Sequence, residues 1–197
     1  MLRRFERFGV VYAALVVLAG LFTIANATFS ERLPTTPGVS IENFGKVDEH
    51  YYRGSQPDQE QFAQLKKLGI KTVIDLRKDS KKSEPDWVRK LDMKYFSIPL
   101  KANIAATPDQ TSYFLSLVND PANWPVYVHC KGGRHRTGAM TALYRITHDG
   151  WTADQAWDEM KQYDFNNGLL GGPTAQKRFV YSFYKNFLAA SKAAKTN

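Results

Sequence analysis

The chain holds a single cysteine, Cys130, set in the string His129-Cys130-Lys131-Gly132-Gly133-Arg134-His135-Arg136-Thr137-Gly138. A loop of this composition that closes onto a helix start can turn its backbone N–H groups inward, where the helix dipole adds partial positive charge. Gly132 and Gly133 permit unusual backbone angles and a close approach to a ligand. A thiol in that field ionises readily and becomes a nucleophile. Arg136 can fork two phosphate oxygens and hold the charge that develops on them. Thr137 can donate its hydroxyl to the sulfur and so help the thiolate leave a phosphocysteine. Lys131, Arg134 and His135 supply further donors around the rim. The chemistry implied is nucleophilic displacement on a phosphoryl group.

The flanks fit that role. The apolar run Trp124-Pro125-Val126-Tyr127-Val128 predicts a strand into the loop, and a helix is expected from Thr137 to His148, stopped by Gly150. Strands are expected near Glu42–Val47, Tyr51–Arg53, Thr72–Leu76 and Met93–Ile98, and helices over Pro57–Leu68 and Pro85–Leu91. Thr107-Pro108-Asp109-Gln110 and Thr152-x-x-Gln155 each read as a capped helix start. A last helix from about Thr174 to Ala190 carries Phe179, Phe183 and Phe187 as a core stripe. Asn166 to Pro173 reads as a glycine-rich loop. Alternating strands and helices imply an α/β fold, a central, mostly parallel sheet flanked by helices. Ligands in such sheets bind beyond the C-terminal ends of the strands, where the Cys130 loop begins. Arg53 and Lys101 are further candidates to line that mouth, with a solvated surface charge as the competing reading for each.

The string from His129 to Gly138 resembles the signature of cysteine-dependent phosphatases of the protein-tyrosine and dual-specificity superfamily. It is most similar to the atypical plant and fungal group and to exported bacterial relatives. Tyr52-Arg53-Gly54-Ser55-Gln56-Pro57, Gly69 to Arg77, and Gly150 to Ala156 are also similar to segments of the bacterial relatives, so the likeness spans residues 41–190. The resemblance implies a protein-tyrosine-phosphatase-like fold, with Cys130 as nucleophile and Arg136 as phosphate clamp. It implies a phosphorylated protein as substrate, or alternatively an inositol pyrophosphate or phosphoinositide. It calls for no cofactor or metal. Relatives of the dual-specificity type carry an Asp general acid in the loop after the strand Tyr95–Leu100. Here that loop reads Lys101-Ala102-Asn103-Ile104-Ala105-Ala106, with Asn103 at the acid position. Asp75, at the end of a core strand, is a candidate acid, with a structural hydrogen bond as the competing reading. Asp109 reads as a favourable charge in a helix first turn. Without an acid, a basic leaving oxygen departs slowly, whereas a leaving phosphate, with a second pKa of about 6, does not need one. Two other classes remain open: a phosphate-binding module with little turnover, and a rhodanese-like sulfurtransferase.

At 197 residues, 43% hydrophobic and 13% aromatic, the chain can bury one full domain core. Arg3, Arg4 and Arg7 precede an apolar run from Val10 to Ile24, and Ala25-Asn26-Ala27 offers a small-x-small cleavage site. Residues 1–27 are expected to be a signal peptide or an N-terminal membrane anchor, residues 8–27 being long enough to tether the chain. Residues 28–40 read as a linker and 191–197 as a tail. The catalytic domain is expected outside the cytoplasm, periplasmic or membrane-anchored, where one unpaired cysteine avoids internal disulfides. The net charge is +8; residues 1–27 hold three Arg and one Glu, so the remainder carries +6. That field suits anionic substrates. The bases are scattered apart from the loop, so nucleic acid is not expected as a partner. No Cys or His spacing suggests a metal site.

Overall fold

The computed structural model describes residues 36–102, 104–165 and 175–195. The expectations for residues 1–27, for most of the linker, and for the glycine-rich loop at 166–173 lie outside these.

Five strands form one sheet: β1 (Gly45–Lys46), β2 (Tyr51–Gly54), β3 (Thr72–Arg77), β4 (Lys94–Leu100) and β5 (Val126–His129). Their spatial order is β1-β2-β5-β3-β4. Only β1 runs antiparallel to its neighbour, while β5 pairs in parallel with β2 on one side and β3 on the other. The last strand in sequence is therefore the middle strand in space. Side chains alternate between the two faces of a strand. Val126 and Val128 accordingly join one core cluster, and Tyr127 joins the other.

Helices cover both faces. The Tyr127 face packs against α1 (Gln59–Lys67) and α2 (Glu84–Lys90), through Phe62, Leu65 and Val88. The Val128 face packs against α3 (Pro108–Val118), α4 (His135–His148), α5 (Ala153–Gln162) and α6 (Ala175–Lys195). The α/β architecture expected from the sequence is the one observed. Both predicted capping boxes form, at Thr107–Gln110 and Thr152–Gln155. A third, at Asp58–Gln61, starts α1 two residues later than the expected Pro57, because the Asp58 carboxylate takes up an otherwise orphaned helix amide.

Other departures concern lengths. The first strand is only Gly45–Lys46, not Glu42–Val47. The last helix continues to Lys195, past the expected end near Ala190. Phe179, Phe183 and Phe187 do pack on the core cluster, although only partly buried. Helix α4 runs through the molecule's centre, with Met140, Ala142, Leu143 and Tyr144 wholly buried. Gly138 lets α5 close on it: a Cβ there would sit 3.3 Å from Met160.

Candidate active site

The loop from Cys130 to Arg134 leaves the C-terminal end of the middle strand and enters α4. Three successive loop carbonyls are each tied outward. Gln56 N–H donates to Lys131 O at 3.2 Å, Asn43 Nδ2 to Gly132 O at 2.8 Å, and Arg53 Nη2 to Gly133 O at 2.9 Å. In a planar trans peptide the N–H points opposite to the carbonyl of the same unit. The amides of Gly132, Gly133 and Arg134 therefore face the other way, into the loop. Helix α4 begins after Arg134 with no side-chain cap, so its N-terminal amides add to that concave, donor-rich surface.

The two glycines are not equivalent. Gly133 takes φ +67°, and a Cβ there would lie 2.5 Å from the carbonyl carbon of Gly54. Gly132 has neither a positive φ nor a close neighbour; its nearest atom would be 3.7 Å away, on Arg134. The expectation that both supply unusual backbone angles thus holds for Gly133 alone.

Cys130 lies at the base of the loop, only 3% exposed. Burial by itself would raise its pKa, but the thiol is held below its ordinary value. The Thr137 hydroxyl and amide, the Arg136 guanidinium and His129 all favour the thiolate. Thr137 Oγ1 is buried without a hydrogen-bond partner, and the Cys130 sulfur is the group it favours. Arg136 is nearly buried; its Nη1 donates to Leu100 O at 3.2 Å and lies 3.7 Å from Asp79 Oδ1.

The remaining loop residues diverge. Lys131 is exposed. Arg134 turns away from the loop interior, to Glu42 at 2.5 Å, with Asp164 at 4.0 Å. Its expected part as a rim donor is therefore corrected: acidic groups from neighbouring segments draw the guanidinium outward. His135 is partly buried, with its ring edge-on to Phe165 at 4.6 Å.

Arg53 is not at the mouth, as expected from sequence, but beneath the loop and wholly buried. Its guanidinium stacks 3.7 Å over the Tyr163 ring and sits 3.8 Å from Glu159. Glu159 is in turn held by Arg145 at 2.7 Å. Lys101 is exposed, as expected, and with Lys78, Pro99, Ile104, Ala105, Thr107 and Gln110 lines a pocket of about 290 Å³.

Asp75 is wholly buried. It accepts from Arg77 N–H at 2.8 Å, from the Tyr95 hydroxyl at 2.9 Å and from the Ser80 hydroxyl. Three donors to one buried carboxylate match the structural reading, with no route to a leaving group. Asp109 is exposed in the first turn of α3. Asn103 lies outside the described residues. Sequence reasoning missed Asp79, beside Arg136; a hydrogen bond from Arg77 keeps its carboxyl down at about 2, so it is ionised throughout the neutral range. It also missed Glu84, whose Oε1 lies 2.8 Å from His129 Nε2. Ligand atoms of Asp75, Glu84 and His129 fall within 4.8 Å of one another, yet both carboxylates already accept from protein donors. No nearby pattern in the sequence links Glu84 to His129, 45 positions apart.

Residues 35–180 match the family model of the DSP-PTPase phosphatase fused to NAD+ kinase. The chain belongs to this phosphatase family. It is similar to the dual-specificity protein phosphatase TpbA of Pseudomonas aeruginosa, 30% identical over 125 residues, covering 64% of this chain and 56% of that protein. It is also similar to the inositol diphosphatase SIW14 of Saccharomyces cerevisiae, 28% identical over 130 residues, covering 63% of this chain and 46% of that protein. The chain thus spans about half the length of these curated relatives. Among solved structures, the SIW14 core catalytic domain superposes with a TM-score of 0.64 at 22% identity, covering 79% of this chain and 94% of that one. TpbA does so with a TM-score of 0.58 at 25% identity, covering 81% and 91%. The DSP-PTPase fold is thereby that of this chain, and the Cys130 loop is the part of it that carries the signature.

Proposed function

We propose that this DSP-PTPase family member hydrolyses phosphate esters through a phosphocysteine intermediate. The observation that carries the proposal is the outward tethering of three loop carbonyls around a buried thiol whose pKa is held below its ordinary value. Cys130 Sγ attacks phosphorus, and the bond from phosphorus to the leaving oxygen breaks. The loop amides and Arg136 hold the phosphoryl oxygens. Before substrate arrives, Arg136 bonds Leu100 O and faces Asp79; a dianion offers it a stronger partner. In the second step water attacks phosphorus and the thiolate departs, assisted by the Thr137 hydroxyl. Lys131 and the loop's basic surroundings favour anions at the mouth.

The substrate proposed first is a phosphorylated protein. A second reading, a phosphoanhydride such as an inositol pyrophosphate, is favoured by the carboxylates. Among the described residues, Asp75 is buried under three donors and Asp79 is held ionised by Arg77, so neither offers a proton to a leaving oxygen. The loop after β4 has no carboxylate in its sequence. Assaying the full chain and Asn103→Asp on phosphotyrosyl peptide and on inositol pyrophosphate separates the two. The phosphoanhydride reading expects the variant to gain roughly a hundredfold on the peptide and little on the anhydride. Fast peptide turnover by the unaltered chain would support the phosphoprotein reading and overturn the phosphoanhydride one.

We also propose that residues 1–27 export or tether the domain, on the strength of the basic flank, apolar run and small-residue site. Among the described residues, no helix is long and apolar enough to cross a membrane. Cell fractionation of the full chain, with N-terminal sequencing of the product, tests this; a cytoplasmic, uncleaved product would overturn it.

A further inference from the structure

We propose that Glu84 is a positioning residue: its carboxylate holds His129 as a doubly protonated imidazolium beneath the phosphate loop, and through it keeps the Cys130 thiol ionised. This rests on the phosphatase reading only for its consequence in catalysis; the ionisation itself is measurable without substrate.

The argument is geometric. His129 immediately precedes the nucleophile and is wholly buried. Its Nε2 lies 2.8 Å from Glu84 Oε1. Its Nδ1 lies 3.3 Å from the carbonyl oxygen of Cys130 and 3.8 Å from Asp75 Oδ1. Carbonyl and carboxylate oxygens only accept, and a neutral imidazole has a single N–H to offer. With Glu84 ionised, the imidazolium is the form that pairs with both sides, Nε2 standing at ion-pair distance from Glu84 Oε1 without an aligned hydrogen bond. A second observation concerns how Glu84 is held. It too is wholly buried, and its Oε2 accepts from Gln56 Nε2, whose Oε1 in turn accepts from Arg77. The backbone N–H of Gln56 bonds Lys131 O in the loop. One residue thus ties the Glu84 carboxylate and the loop to the same frame, so the charge pair cannot drift from the thiol.

The direction of the titration agrees. Burial would lower the pKa of His129, but Glu84 and then Asp75 raise it above its ordinary value. The charged groups facing Cys130 come from several elements: Arg136 on α4 and His129 on β5 favour the thiolate. Arg53 on β2 interacts with it favourably, and Tyr127 on β5 is kept protonated first by its burial and then by the neighbouring Cys130. Arg136 and the amides serve substrate as well as sulfur. Glu84 touches neither, so its contribution is separable.

Because Cys130 is the only cysteine, alkylation by iodoacetamide across a pH series reads its ionisation directly in the full chain. Glu84→Gln keeps the side-chain shape and removes the charge. Its alkylation midpoint should move up by about one pH unit, making the reaction below the midpoint about tenfold slower, while the high-pH plateau stays near that of the parent. Glu84→Asp should recover part of the shift. In a His129→Gln background, Glu84→Gln should add little further shift, since the carboxylate acts through the imidazole. An unchanged midpoint in folded Glu84→Gln, or full additivity with His129→Gln, overturns the proposal. Should that variant not fold, nitrogen NMR of His129 in the unaltered protein decides: both ring nitrogens protonated at pH 7.5 support it, and a neutral tautomer overturns it. A normal thiol shift with no phosphatase turnover would overturn the proposed function and leave this inference standing.

Discussion

Beneath the phosphate loop, Arg53, Asp75, Glu84 and His129 are wholly buried, and each is engaged by neighbours from other elements. Around the mouth, Lys78, Asp79, Lys101 and Ile104 are exposed and come from the two loops that follow β3 and β4. The floor is a charged core whose groups are held by ion pairs and hydrogen bonds, with Arg53 Nε and Thr137 Oγ1 among the buried atoms left without a hydrogen bond, whereas the mouth is a set of solvated side chains. Buried charges tolerate little change, because an abandoned partner keeps its full desolvation cost; exposed ones are screened and can vary. The contrast assigns the two regions different tasks. Under the proposed function, the floor holds the nucleophile and the loop around it, and the exposed loops after β3 and β4 are left free to vary.

The sharpest way to break the floor is to remove the nucleophile. Cys130→Ser should lower turnover of an aryl phosphate by roughly 10⁴-fold or more without altering the circular dichroism spectrum; appreciable residual turnover would mean that Cys130 is not the attacking group. Arg136→Lys keeps the charge and loses the fork, so kcat/KM should fall by about 10²–10³-fold, as read by steady-state kinetics. Gly133→Ala forces a Cβ against Gly54 at a positive φ and should cost about 2–4 kcal/mol in urea unfolding. Gly132→Ala, with open space around it, should stay within about 1 kcal/mol. Equal losses at the two glycines would contradict the distinction drawn between them.

The mouth should yield the smallest effect. Asp79→Asn removes a carboxylate 3.7 Å from Arg136 and should lower KM for a dianionic substrate a few-fold, about 0.5–1 kcal/mol given its exposure. Because Arg77 holds Asp79 at about 2, it stays ionised from pH 4 upward. The pH profile of kcat/KM should therefore keep its shape in this variant. Its acidic limb should instead follow Cys130, whose folded value lies below that of an ordinary thiol. Activity is then present above that lowered value and lost as pH falls through it. A large change in the profile on Asp79→Asn would make that carboxylate part of the proton transfer and dissolve the division between floor and mouth.

Much of this was legible in the residue order. The glycine-bearing basic string, the strand before it and the helix after it depend on neighbours in sequence: period-two apolar residues, cap residues, and a turn that needs glycine. Local steric and hydrogen-bonding preferences act over a few positions, so strands, helices and two capping boxes follow from residue order alone. The depressed thiol also followed from sequence, since Arg136 and Thr137 are fixed to the same loop and helix start as Cys130.

Only the tertiary structure decided which distant groups meet under and around that loop. The sheet order places the last strand between β2 and β3, and with that one placement Arg53 goes from an expected mouth residue to a buried support of Gly133 O. Glu84 reaches His129 because α2 packs on the face of the sheet below the loop, a juxtaposition that no spacing along the chain encodes. Asp79 meets Arg136 for the same reason, through parallel neighbours rather than sequence neighbours. The residues themselves determined that a thiol would sit at the base of a basic loop that closes onto a helix start. Which distant charges gather around that thiol depended on long-range strand pairing, a property of the whole folded chain.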